Sequence, residues 1–236
     1  MNFQIRPLGD QALIVETAER ADLASARRTH SICRWLAAAA LRGVSELVPA
    51  ATTMTVFYSA VEVVAAGAPE TDIAGWLVER VRERLATLPA VEEWPASRLI
   101  EIPVCYGGEF GPDLEDVAAR VKLSAAEVIA RHSAAEYTVL QLGFAPGFPY
   151  LDGLPEELAV PRRDTPRVAV PAGSVAIANR QTGIYPVTVP GGWNLIGRTP
   201  LKMFRPDQEP PVLLQPGDRV KFRAISASEF KDRQTP

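Results

Sequence analysis

The spacing of apolar positions changes character along the 236-residue chain, and each change marks a different kind of element. Residues 11–16 (QALIVE) form a short apolar run that predicts a strand, with residues 3–6 as its candidate partner. From 19 to 41, Leu23, Ala26, Ile32 and Leu36 recur at helical spacing. Gly43 is placed to end that helix, since glycine takes the left-handed conformation a C′ residue needs. The runs 44–49 (VSELVP) and 53–58 (TMTVFY) predict two further strands. Over 71–88, Ile73, Leu77, Val81, Leu85 and Leu88 make one apolar stripe, with Arg80, Glu83 and Arg84 on the solvated side. Leu99 to Val104 alternates as a strand again. The order β-α-β-β-α-β predicts a split βαβ, ferredoxin-like domain over residues 1–105.

Beyond a turn-rich joint at 106–112 (YGGEFGP), the pattern shortens. Asp113 to Arg120 reads as a brief helix, and Ser124 with Glu127 forms a capping box ahead of a second one, Ala125 to His132. Strands are predicted at 137–143, 174–178, 184–189 and 193–196. Pro216 and Gly217 suit the centre of a type II turn between two more strands. Short strands separated by turns predict a closed or nearly closed barrel over residues 106–236. The fold class expected is α+β, a ferredoxin-like domain followed by a β-barrel.

Residues 143–200 hold nine of the 21 prolines and eight of the 16 glycines, yet also Phe144, Phe148, Tyr150, Tyr185 and Trp193. Disordered Pro/Gly segments lack large apolar residues, so this run predicts fixed tight turns forming a shaped groove. Composition narrows the ligand. With 47% hydrophobic and 22% charged residues and a net charge of −3, the chain has no overall electrostatic drive toward nucleic acid or an anionic membrane. The N-terminus lacks the apolar core of a signal peptide, and Trp35–Leu41 is far too short to span a bilayer. A cytoplasmic protein is expected. Cys33 and Cys105 are too few for a disulfide framework or a zinc site, and read as buried thiols.

No phosphate-binding loop, H-E-x-x-H, G-x-S-x-G or G-x-G-x-x-G occurs, and two histidines cannot build a histidine-rich metal centre. His132, at a helix end before the groove segment, reads either as a general base or as a cation favoured by the helix dipole. Arg162, Arg163, Arg167, Arg198 and Lys202 crowd the groove segment, beside Asn179, Gln181, Thr182 and Tyr185. Guanidinium groups on rigid turns suit bidentate recognition of carboxylate or phosphate, or simply solubilise exposed loops. Trp193 reads as groove wall or barrel core.

The strings LGFAPGFPYLDGLP, PRRDTPRVAVPAGSVAIA, QTGIYP, PGGWNLIGRTP and IPVCYGGEFGPDLEDVA resemble the family of 5-oxoprolinase B-type subunits, also called allophanate hydrolase subunit 1, which includes KipI-type histidine-kinase inhibitors. The likeness runs over essentially the whole chain. It implies a ferredoxin-like domain and a cyclophilin-like β-barrel, a tight partner of the C type and a further subunit of the A type. It implies cleavage of 5-oxo-L-proline to L-glutamate with ATP, bound somewhere in the complex, and a chain that is inactive alone. Kinase inhibition and a carboxyltransferase half-module are the alternatives within the family. Matched to the family's motifs, His132, Arg167 and Arg198 are the candidate catalytic residues. Phe148, Tyr150, Arg162, Gln181, Tyr185 and Trp193 are the candidate substrate contacts, with no metal ligand. Asn179 stands where the family favours glycine. Asparagine tolerates the left-handed region better than most residues, so the turn there is expected to survive.

Overall fold

The computed structural model describes residues 3–89 and 98–234, and the chain divides into two compact units between Pro95 and Ala96. The first unit runs β1 (Gln4–Pro7), β2 (Ala12–Glu16), α1 (Leu23–Ala38), β3 (Val44–Pro49), β4 (Thr53–Tyr58), α2 (Ala60–Ala65) and α3 (Ile73–Ala86). Its four strands form an antiparallel sheet in the order β1-β2-β4-β3. Alternate residues Leu13 and Val15 of β2 and Met54, Val56 and Tyr58 of β4 share one core with Ile32 and Leu36 of α1 and Leu77, Val81 and Leu85 of α3. The period-2 and helical stripes read from the sequence therefore meet face to face.

Two details differ from expectation. Helix α1 starts where the Asp22 carboxylate accepts the Ser25 N–H at 2.8 Å, but it ends at Ala38, and Ala40 takes the left-handed turn with φ +46°. Gly43 instead sits at the entrance to β3. Second, the run 99–104 does not close this sheet. The edge beside β2 is filled by β1, from the start of the chain. Residues 99–104 belong to β5 (Leu99–Tyr106), which pairs in parallel with Arg219–Ala224 and buries Ile102 and Val104 in the other unit's core. Alternation shows that a strand is half-buried. It does not say which sheet the strand joins, so the boundary expected after residue 105 lies before β5.

The second unit continues with α4 (Leu114–Val121), α5 (Ala125–Ala134), β6 (Glu136–Leu142), β7 (Pro149–Asp152), β8 (Arg167–Val170), β9 (Ser174–Ala178), β10 (Gln181–Ile184), β11 (Val189–Gly191), β12 (Asn194–Arg198), β13 (Arg219–Ala224) and α6 (Ala227–Gln234). Seven strands close a barrel in the order β10-β7-β6-β13-β5-β12-β9, with β9 pairing back onto β10. Strands β8 and β11 pair with each other outside it. The α+β class and the closed barrel are as expected. The predicted strand 184–189 is not one strand: β10 ends at Ile184 and β11 starts at Val189. The Pro216–Gly217 turn forms, with Asp218 N–H donating to the Gln215 carbonyl at 3.0 Å and Gly217 at φ +94°. The segment before it forms no named strand; an isolated bridge joins Val212 to Phe204, and the Leu213 N–H donates to the Met203 carbonyl at 2.9 Å.

Strand β9 is buried on both faces, which explains its unbroken apolar sequence. Val175 and Ile177 point into the barrel core with Val139, Leu151, Ile184, Ile196 and Phe222. Ala176 and Ala178 point outward, into a second cluster with Phe148, Val170, Tyr185, Trp193 and Leu195. The barrel wall thus separates an interior core from an outer aromatic layer.

Candidate functional site

The outer layer is built from a cross-strand row. Tyr150 of β7 stands opposite Gly183 of β10, Gly183 opposite Ala176 of β9, and Ala176 opposite Leu195 of β12. Small residues at the middle of this row leave a depression that aromatic side chains fill. A Cβ on Gly183 would lie 2.8 Å from Cζ of Phe148, so the glycine admits that ring. Phe148 meets Tyr150, Tyr185, Trp193 and Phe144 edge to face, with centroids 4.9, 5.2, 5.5 and 5.5 Å away, the geometry that ring quadrupoles favour.

These rings wall a groove of about 190 Å³, completed by Arg162, Arg163, Pro166, Gly191 and Gly192. Phe144 forms its lip. It is 62% exposed and holds φ +69°, a conformation that costs a side-chain-bearing residue roughly 1–3 kcal/mol. Burial pushes the Tyr185 phenol above its ordinary value, against the pull of the Trp193 main-chain N–H and the Arg162 and Arg167 charges. Burial likewise raises the Tyr150 phenol, against Arg162. Both hydroxyls stay protonated at neutral pH and are available as donors.

Asp113 fixes the floor beneath the groove's basic loop. It is 2% exposed, and its side chain does not cap α4. It accepts instead from Arg163 Nη1 at 2.7 Å, from Arg167 Nη1 and Nη2 at 2.8 and 2.7 Å, and from the Leu195 N–H at 2.7 Å. One buried carboxylate thereby ties loop 161–167 to the barrel, and its charge is compensated, as burial requires. Arg162 carries no carboxylate partner among the described residues; its charge acts on the Tyr150 and Tyr185 phenols.

The groove brings together Phe148, Tyr150, Arg162, Tyr185 and Trp193 of the residues expected from sequence. The others lie elsewhere. Arg167 is spent on Asp113. Arg198 donates from Nε to the Ala172 carbonyl at 2.9 Å. Gln181 stands opposite Ala178 on the same side of β10 as Gly183, but does not line the groove. His132 is a correction: it is fully buried inside the barrel, stacked on Phe222 at 4.6 Å. Thr182 Oγ1 donates to the Ala176 carbonyl at 3.0 Å and so accepts from His132 Nε2 at 3.0 Å. Nδ1 is left to accept from the Tyr106 hydroxyl at 2.8 Å. Burial pushes this imidazole down to about 3, so it is a neutral core residue with both nitrogens satisfied and is not offered to a ligand.

Sequence reasoning places Phe144 and Arg163 in the groove segment but not among the candidate contacts, and it reads Asp113, which lies behind the groove's basic loop, only as a helix start. Asp113 and Arg163 lie fifty positions apart, and no local pattern joins them. Asn179 takes φ +53° between β9 and β10, so the left-handed turn expected there forms with asparagine. Among the described residues no cluster of three or more His, Cys, Asp or Glu is placed to hold a metal, and no helix is long and apolar enough to cross a membrane.

Residues 3–214 match the carboxyltransferase domain family, subdomain C and D. The chain is 45% identical to the 5-oxoprolinase B subunit of Bacillus subtilis over 98% of its length and 96% of the relative's. It is 44% identical to the 5-oxoprolinase B subunit of Escherichia coli O157:H7, over 91% of its own length and 93% of the relative's. Among solved structures, TTHA0988 superposes with a TM-score of 0.75 at 34% identity, covering 95% of this chain and 41% of that longer one. With its barrel, its aromatic groove and these relatives, the chain belongs to the carboxyltransferase subdomain C and D family, among the 5-oxoprolinase B subunits.

Proposed function

We propose that this chain is the B-type member of an ATP-dependent 5-oxoprolinase, and that its outer groove holds 5-oxo-L-proline for hydrolysis to L-glutamate in a complex with C-type and A-type subunits. One observation carries the assignment of the groove: aromatic walls around about 190 Å³ stand beside Arg162, a cation with no carboxylate partner among the described residues. That volume lies below the ~300–1,000 Å³ of pockets for drug-sized ligands. It suits a single small ring. 5-Oxoproline is a five-membered lactam with one carboxylate, so the rings would sandwich its body while Arg162 draws its charge. The Tyr150 and Tyr185 hydroxyls would donate to its carbonyl or carboxylate oxygens.

The lining residues contain no carboxylate, imidazole or thiol. The groove therefore binds, orients and shields a substrate, and the partner subunits would bring the proton-transferring groups to it. This is the physical reason for a chain that is inactive alone. A triphosphate does not fit the groove, whose basic side chains are Arg162 and the Asp113-bound Arg163, so the nucleotide would bind outside it. Reconstitution with A-type and C-type subunits should release glutamate and ADP from 5-oxoproline only when this chain is present. A properly assembled complex that releases neither refutes the reading.

A further inference from the structure

Loop 143–148 is fixed by its own main chain. The Gly143 N–H donates to the Phe148 carbonyl at 3.1 Å and closes the loop at its base. The Phe148 N–H donates to the Ala145 carbonyl at 3.0 Å around Pro146 and Gly147, with Gly147 at φ +83°, as a type II turn requires. Between these, the Ala145 N–H donates to the Gly143 carbonyl at 2.8 Å across Phe144 at φ +69°. That is a γ-turn of the rare, strained kind. It sets the Phe144 ring nearly perpendicular to two groove rings, at 79° to Phe148 and 89° to Tyr185, with centroids 5.5 and 6.2 Å away. Phe148, Tyr185 and Trp193 are buried and held by packing, whereas Phe144 is largely exposed. Its place at the groove mouth therefore depends on the backbone beneath it. Glycine would take this conformation freely, and a largely exposed ring buries little apolar area. Neither the turn nor the core calls for phenylalanine here.

We infer that Phe144 is a specificity-determining residue that sets the ring size the groove accepts. Its side chain lines the groove together with the buried rings and bounds it at the mouth. A five-membered lactam is accommodated within about 190 Å³. A six-membered lactam, larger by one methylene, meets a wall whose Cα is fixed by the γ-turn and whose ring already leans on Phe148 and Tyr185. One methylene in an apolar pocket is worth roughly 10–200-fold in discrimination. The strained turn thus does for an exposed ring what packing does for the buried ones: it holds the ring where a larger ligand would need it to move. This role for Phe144 rests on the groove being the 5-oxoproline site.

The test uses the full chain assembled with its partner subunits, without nucleotide, and measures binding calorimetrically for 5-oxo-L-proline and for its six-membered homologue, 6-oxopiperidine-2-carboxylate. The wild-type complex should prefer the five-membered ring by about tenfold or more. Phe144→Ala removes the wall, and should bring the two lactams to near-equal affinity by weakening the smaller and admitting the larger. Phe144→Tyr keeps the aromatic wall and should keep the preference. A preference carried unchanged into Phe144→Ala overturns the inference, even where both affinities fall together, because a role confined to supporting the loop would weaken both ligands alike. Equal affinities in the wild type overturn it without any variant. If Phe144→Ala removes the preference while the wild-type complex releases no glutamate, the role of Phe144 stands and the 5-oxoprolinase reading falls.

Discussion

A Cβ on Gly191 would lie 2.3 Å from the Tyr185 hydroxyl, so the ring that closes one side of the groove depends on a missing methyl group. Gly191→Ala should force Tyr185 or β11 aside and destabilise the barrel unit by about 1–3 kcal/mol, the usual cost of overpacking; urea unfolding measures it. His132 gives a second residue-scale test. Its imidazole falls from an ordinary 6.5 to about 3 on burial, so between these values the unfolded chain binds the extra proton. The stability this neutral histidine contributes is fully present above pH ~6.5 and drains away as pH falls toward ~3, at up to ~1.4 kcal/mol per pH unit. His132→Gln should remove that component of the slope. Unfolding curves for the two proteins at pH 7 and pH 4.5 make the comparison. At this scale the aromatic walls are legible in the sequence, because large rings stand out among prolines and glycines. The role of Asp113 is not, since it is fixed by contacts with Arg163 and Arg167 across the fold.

Helix ends and strand partners show a similar division. The Ser124–Glu127 capping box reads directly from sequence and forms, with Glu127 N–H donating to Ser124 Oγ at 3.2 Å and Ser124 N–H to the Glu127 carboxylate at 2.8 Å. Ser124→Ala should cost about 1 kcal/mol, measured by thermal or urea unfolding. The result would show how far α5 depends on its first turn. Strand existence is legible for β2, β4, β6 and β9, where apolar spacing is strong. It is not for β7, β8 and β11, which are three or four residues long, with proline or glycine inside β7 and β11. The strand that sequence assigns to the wrong unit is β5. Its apolar residues fit either unit, and its pairing between β13 and β12 decides between them.

For the whole molecule, the barrel wall does two jobs: its inner face closes the core, and its outer face supports the groove. Five of the nine side chains expected at the site gather there, namely Phe148, Tyr150, Arg162, Tyr185 and Trp193. The division between Arg162 and Arg198 separates the groove from the rest of the basic surface. In the reconstituted complex, Arg162→Ala should raise KM for 5-oxoproline by roughly tenfold, the value of a charged hydrogen bond, with kcat less affected. Arg198→Ala, whose side chain serves the Ala172 carbonyl, should leave KM unchanged. Most direct of all is the structure of the assembled complex with 5-oxo-L-proline bound. The ring should lie among Phe148, Tyr150, Tyr185 and Trp193 with its carboxylate on Arg162. Substrate seated away from this groove would contradict the account.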